Sequence, residues 1–237
     1  MHIAQGGGKM KWMIFIFRWT NRIRVPFQKL EGRNRSRQRP ELGRITNADV
    51  YSILEESWKI FHTLIESAPK GKTAGSRIMI KNGVWSLAFY KAVLKLGAEK
   101  DYATELCGDV IWKYYQRVVR RTRLKARLAS RDPQEQMNRM QRAFLKTALE
   151  KPGYDWKVVQ VPGAFAYDIY SCPVHDYYKS LGPEELEFFR KTWCIFDFPF
   201  AEYLVKGGKY ERQRTLSHGD AMCDMRWMVN SSPKTSK

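Results

Sequence analysis

The sequence predicts an α+β fold: an N-terminal helical half, then a small, largely antiparallel sheet with interleaved helices, ending in a β-hairpin. Three observations carry this expectation. Apolar residues recur at helical spacing from Thr46 to about Glu150. After Lys151-Pro152-Gly153, β-branched and aromatic residues alternate in short runs instead. The 237 residues are 43% apolar and 14% aromatic, which supplies a packed core and excludes wholesale disorder. The expected organisation is a basic, disordered arm over 1–45, one α+β domain over 46–230 and a tail over 231–237. Within the domain, 46–150 form the helical half and 151–230 the mixed half.

Thr46 caps a first helix in which Val50, Ile53, Leu54, Trp58, Phe61 and Ile65 keep a 3.6-residue period. A loop over 69–75 precedes helices over about 77–96 and 100–129, which Gly97 separates as a C-terminal stop. In the second of these, Ala103, Leu106, Cys107, Val110, Ile111, Tyr114 and Val118 define the buried stripe. Asp132-Pro133 opens a helix reaching Leu149. Strands are expected over 156–161 and 165–169, broken by Pro162-Gly163. Cys172-Pro173 starts a short helix that Leu181-Gly182-Pro183 ends, and another spans 184–196, its continuation to Val205 opposed by Pro199. Paired strands over 209–216 and 222–229 flank a four-residue loop, Ser217-His218-Gly219-Asp220.

The 42 Lys/Arg and 24 Asp/Glu give a formal charge of +18, concentrated in two blocks. Residues 1–45 hold 11 basic residues against two Glu, and residues 117–131 hold seven with no acid. Gly6-Gly7-Gly8 and the run from Gly32 to Pro40 read as unstructured, with RNA, DNA or anionic lipid as a secondary partner through electrostatic contact. No aromatic is interleaved there for stacking on bases. Trp12, Phe15, Phe17 and Trp19, beside Arg18, Arg22 and Arg24, suit an interfacial anchor. Arg117, Arg120, Arg121 and Lys125 fall on one helix side and read as a solvated face. The longest apolar run, Trp12 to Phe17, is too short for a membrane span or a signal-peptide core, so a cytoplasmic location is expected.

Four cysteines without an export signal predict free thiols. Cys107 reads as a small buried hydrophobe. Cys172 sits at a strand-to-helix junction, where the helix N-terminus lowers a thiol pKa. Cys194 shares a helical face with Asp197, and Cys223 opens the last strand just after His218 and Asp220. Cys172-x-x-His175, Cys194-x-x-Asp197 and the His218 to Cys223 spacing could supply zinc ligands if they converged. None is a Cys-x-x-Cys pair, so neither metal nor cofactor is expected. Arg214 and Arg226 flank the hairpin and suit bidentate capture of a small carboxylate, or else a lattice with Asp220 and Asp224.

The run from Arg212 to Trp227, with Arg-x-Arg-Thr, Gly219 and Cys223-Asp224-Met225-Arg226, resembles the C-terminal signature of the L-2-amino-thiazoline-4-carboxylic acid hydrolase family. Met225 stands where the family's pattern has Phe. Tyr167-Asp168-Ile169-Tyr170-Ser171-Cys172-Pro173 is similar to the family's strand ending in Cys, and Cys194-Ile195-Phe196-Asp197 to its Cys-x-x-Asp segment. Upstream, Ala88 to Val93 and Gly97 are similar to its helical half. The resemblance covers about residues 50–230, is most specific over 165–227 and does not extend to the basic arm. The Gly219-x-x-x-Cys223 ending also resembles that of vinyl-reductase-type small-molecule-binding domains.

That resemblance implies a hydrolase that opens a cyclic isothiourea or amidine at a carbon–nitrogen bond to a carbamoyl-cysteine, on a route of cysteine metabolism. Its small-molecule substrate carries a carboxylate. The electrophilic carbon needs a nucleophile, a proton donor for the departing nitrogen and a charge on the amidinium. On this reading the catalytic set is Cys172, Cys194, Asp197, His218 and Cys223. Cys172 or Cys223 attacks, Asp197 holds the ring nitrogens and His218 shuttles protons. Arg214, Asp220 and Arg226 bind substrate, one arginine clamping its carboxylate. The alternative is a non-catalytic small-molecule-binding or sensory domain of similar fold.

Overall fold

A computed structural model describes residues 26–230. The four long helices are α1 (Asn47–Ser67), α2 (Ala74–Lys95), α3 (Lys100–Ala129) and α4 (Pro133–Thr147). All but α3, which Glu99 precedes without a side-chain cap, start where the sequence supplies a cap or a proline. Thr46 and Asp49 close a capping box on α1, Thr73 and Ser76 another on α2, and Asp132 caps α4 with Pro133 in its first turn. On α3, Ala103, Leu106, Cys107, Val110 and Ile111 are buried as expected, but Val118 is 50% exposed. Val119 is buried in its place, because the stripe drifts by one residue over several helical turns.

The expected disordered arm does not extend to residue 45. Phe27, Leu30 and Ile45 are fully buried in the helical core, with Phe27 4.5 Å from Phe89 between ring centres. Three of the four arginines of 32–40 find acids outside this stretch, and the fourth, Arg39, donates to the Gly97 carbonyl. Arg33 bonds Glu105 at 2.8 Å and Asp109 at 2.6 Å, Arg37 bonds Glu105 at 2.6 Å, and Arg35 bonds Asp49 at 2.7 Å. Glu99 accepts from the Ser36 hydroxyl and the Arg37 and Gln38 amides, which bring its carboxyl down to about 2. Local charge counting misses this, since the neutralising carboxylates lie on α1 and α3. The aromatic segment near Trp12 and the tail over 231–237 lie outside the described residues.

The mixed half contains β1 (Asp155–Val161), β2 (Ala164–Ser171), α5 (Pro173–Leu181), α6 (Pro183–Phe189), α7 (Asp197–Leu204), β3 (Gly208–Glu211) and β4 (Cys223–Val229). The strands form one antiparallel sheet in the order β1-β2-β4-β3. Three expectations are revised. The helix foreseen over 184–196 is interrupted by a π-turn, Arg190–Cys194, where the Thr192 hydroxyl donates to the Phe188 carbonyl at 2.7 Å. Pro199 falls in the first turn of α7, where its missing N–H is tolerated, so the chain continues helically to Leu204. The terminal hairpin is also wider than foreseen. The strands stop pairing at Glu211 and Arg226, and 212–222 form a loop with a 3₁₀ turn at Leu216–His218.

One core fills the helical half, and a second lies where α4 and α7 pack on the sheet; Met79 and Cys172 touch both. Two close approaches fix these layers. A Cβ on Gly75 would stand 1.9 Å from the Thr147 carbonyl oxygen, and one on Gly208 2.1 Å from that of Ala201. Gly75→Ala and Gly208→Ala are expected to destabilise the fold by about 1–3 kcal/mol or more, read as lower denaturant midpoints. Unchanged midpoints would show that these contacts relax freely.

Candidate active site

Strand alternation explains the Cys-Asp-Met-Arg run. On β4, Cys223, Met225 and Trp227 line a cavity between the two cores, together with Tyr167 and Ile169 of β2. Asp224 and Arg226 take the opposite face. The cavity measures about 170 Å³ and is walled mainly by aromatic rings, among them Trp112, Tyr115, Tyr154, Trp193 and Phe200. Its polar lining includes Cys172, Cys194, Cys223, Asp197, Arg212 and Gln141.

Each polar group is placed by a local device. Cys172 is the N-cap of α5 and its Sγ accepts from the His175 amide at 3.5 Å. Cys194 ends the π-turn and Asp197 opens α7, so both reach the cavity without a continuous α-helix. Cys223 Sγ lies 3.3 Å from the Leu216 amide, which donates to it, and 3.4 Å from the Thr215 hydroxyl. The loop supplying these contacts is braced from behind. Asp224 Oδ1 accepts from the Gln213 and Arg214 amides at 3.0 and 2.6 Å, and Asp220 Oδ2 accepts from the Thr215 amide at 2.7 Å. Asp224→Ala is expected to lower stability by about 2 kcal/mol, and Asp224→Asn by less because one acceptor oxygen remains. Equal urea midpoints for the two variants would remove this bracing role.

Sequence reasoning missed Arg212. Its side chain is only 9% exposed, with Nη1 3.7 Å from Asp197 Oδ2 and Nη2 donating to the Cys194 carbonyl at 3.0 Å. It thereby caps a carbonyl freed at the π-turn. Its guanidinium also lies 5.7 Å from the Phe198 ring centre and 5.8 Å from that of Tyr210. The available signal was its phase: Arg212 follows buried Tyr210 by two residues at the end of β3.

The other expected residues are elsewhere. His218 is exposed on the 3₁₀ turn and does not line the cavity. Arg214 is half exposed and 3.8 Å from Asp224, while Arg226 pairs with Asp168 at 2.9 Å on the far face of the sheet. Asp220 serves the loop backbone. His175 faces Asp176 and Phe189 rather than a thiol. Among the described residues, no three His, Cys, Asp or Glu side chains gather as a metal-binding group.

Electrostatics separate the cavity groups. Burial pushes the Asp197 carboxyl up to about 7, with Arg212 and the Tyr210 hydroxyl only partly offsetting it. Asp197 keeps 27% of its side-chain surface accessible, consistent with a group that opens on the cavity it lines. Burial also raises all three thiols, Cys194 to about 12 and Cys172 further. The depressed pKa expected at Cys172 is therefore corrected: desolvation outweighs the amide contact at the helix start. For Cys223 burial again raises the value, but the Thr215 hydroxyl, the Leu216 amide and Arg212 all oppose it.

This arrangement places an acid–base group near neutrality, a buried guanidinium and a hydrogen-bonded thiol in one small, mostly apolar chamber. A chamber of this size and lining makes it the candidate site for a small molecule. The model of the L-2-amino-thiazoline-4-carboxylic acid hydrolase family matches residues 77–227, more than half of the chain, and the protein belongs to that family. No curated protein and no solved structure matches it. Among the described residues, no helix is long and apolar enough to cross a membrane.

Proposed function

We propose that the protein hydrolyses a small cyclic amidine or isothiourea bearing a carboxylate, with Cys223 as nucleophile. The supporting observation is the Cys223 thiol, held by Leu216 and Thr215 in a chamber it shares with Asp197 and Arg212. Ionised Asp197 accepts the thiol proton as sulfur attacks the ring carbon, and passes it to the ring nitrogen as the carbon–nitrogen bond breaks. Water then adds to the thioimidate carbon, Asp197 relaying its proton to the imine nitrogen. Collapse expels the Cys223 sulfur, which recovers the remaining hydroxyl proton, and a carbamoyl product leaves. One water is consumed. The proton role assigned to His218 from the sequence thus passes to Asp197, and the carboxylate clamp passes to Arg212.

Arg212→Met is expected to raise KM for a carboxylate-bearing substrate by about tenfold to a hundredfold, and to change KM little for its methyl ester. Equal losses for acid and ester would remove the clamp role. The reading as a whole is tested by carbamoyl-cysteine release from L-2-amino-thiazoline-4-carboxylate. Steady turnover supports it. Saturable binding without turnover, for this compound and related cyclic amidines, replaces it with a small-molecule-binding module, which the raised thiol pKa values also favour.

A further inference from the structure

The C-terminal half of α3 carries an exposed face that the cavity chemistry does not use. Val119 and Ala126 mark its buried side, at 4% and 6% exposure. Directly opposite, Arg117, Arg121, Leu124 and Leu128 fall within roughly 60° of one another at 3.6 residues per turn. Val118 and Lys125 flank this strip on one side, Arg120 and Arg127 on the other. Its aliphatic residues are strongly exposed: Val118 50%, Leu124 57% and Leu128 80%. Arg117, Arg120, Arg121, Lys125 and Arg127 have no carboxylate partner among the described residues, in contrast to Arg33, Arg35 and Arg37, which all do. Beside the strip, a groove of about 350 Å³ between α3 and the end of α7 is lined by Arg123, Arg127 and Lys206 and by no acid.

We infer that this face is a docking surface for an anionic lipid bilayer. The helix lies along the interface with Leu124 and Leu128 dipping below the headgroups, and the flanking cations meet phosphate and carboxylate groups. The groove beside it suits a phosphate headgroup. Two features separate this partner from nucleic acid: aliphatic side chains occupy the centre of the strip, and no aromatic stands on it to stack on a base. A second copy of the same face is disfavoured, because it would set five unpaired cations against five.

The test is co-sedimentation of the full-length protein with phosphatidylcholine vesicles, with and without phosphatidylserine. Binding is expected with phosphatidylserine, falling with salt, and little without it. Leu124→Gln/Leu128→Gln, which keeps every charge, is expected to weaken binding about tenfold. Arg117→Gln/Arg121→Gln/Lys125→Gln is expected to weaken it about a hundredfold, roughly fivefold per cation. All five positions are on the exposed face, so unchanged thermal melting serves as the fold control. No binding to phosphatidylserine vesicles overturns the inference. So does binding that neither variant alters, since both leave residues 1–25 intact and the contact would then lie elsewhere. Tighter binding to a single-stranded RNA, insensitive to the leucine changes, would assign the face to nucleic acid instead.

Discussion

Cys223→Ser is expected to lower turnover by about three orders of magnitude or more, with little change in melting temperature. The serine hydroxyl can keep the contacts to the Leu216 amide and Thr215, so structure is preserved while the sulfur nucleophile is lost. Cys172→Ser and Cys194→Ser are expected to retain most activity, because burial holds those thiols more firmly protonated. The same ordering predicts chemical reactivity. Iodoacetamide should modify Cys223 before Cys172 and Cys194, at rates that rise with pH, and leave fully buried Cys107 untouched. Peptide mapping of partly alkylated protein reads this order. Loss of turnover in Cys172→Ser but not Cys223→Ser would move the nucleophile to the α5 N-terminus.

Asp197→Asn is the second large effect: an amide cannot relay the thiol proton, and turnover is expected to fall about a hundredfold or more. In the unsubstituted protein, activity should climb with pH through about 7 as Asp197 ionises. Stability moves the other way. The folded protein holds the Asp197 proton up to about 7, whereas the unfolded chain releases it near the ordinary aspartate value of about 4. Between those values the native state binds more protons. The stabilisation is therefore complete below about pH 4 and lost as pH rises through about 7. Asp197→Asn removes this dependence, so the melting temperature of the variant should gain on that of the parent between about pH 5 and pH 8. A constant difference across that range would mean that Asp197 is already ionised well below neutrality.

Most of the fold was legible because its signals are local. Thr46 and Asp132 cap the helices they precede, and the strands on either side of Pro162-Gly163 alternate as sheet strands do. The failures involve contacts between distant segments. The arginines near Ser36 order themselves on Glu99, Glu105 and Asp109, which no window around Gly32 to Pro40 contains. The π-turn at Arg190–Cys194 depends on Thr192 and on a carbonyl capped by Arg212, eighteen residues beyond it.

At the site, residue type and position at element ends singled out Cys172, Cys194, Asp197 and Cys223, and all four line one cavity. Proximity to the loop misled for His218, Arg214 and Asp220, because that loop folds back on its own backbone. Arg226 follows the strand alternation instead. Placing Cys223 toward the cavity requires Arg226, three residues on, to face away from it.

Single-turnover quench with intact-protein and peptide mass spectrometry tests the central claim most directly. A thiazoline-carboxylate substrate mixed with excess enzyme should give a transient adduct of substrate mass on the peptide containing Cys223, decaying as carbamoyl product appears. Product forming with no adduct at any quench time, or with the adduct on Cys172 or Cys194, would contradict nucleophilic catalysis by Cys223.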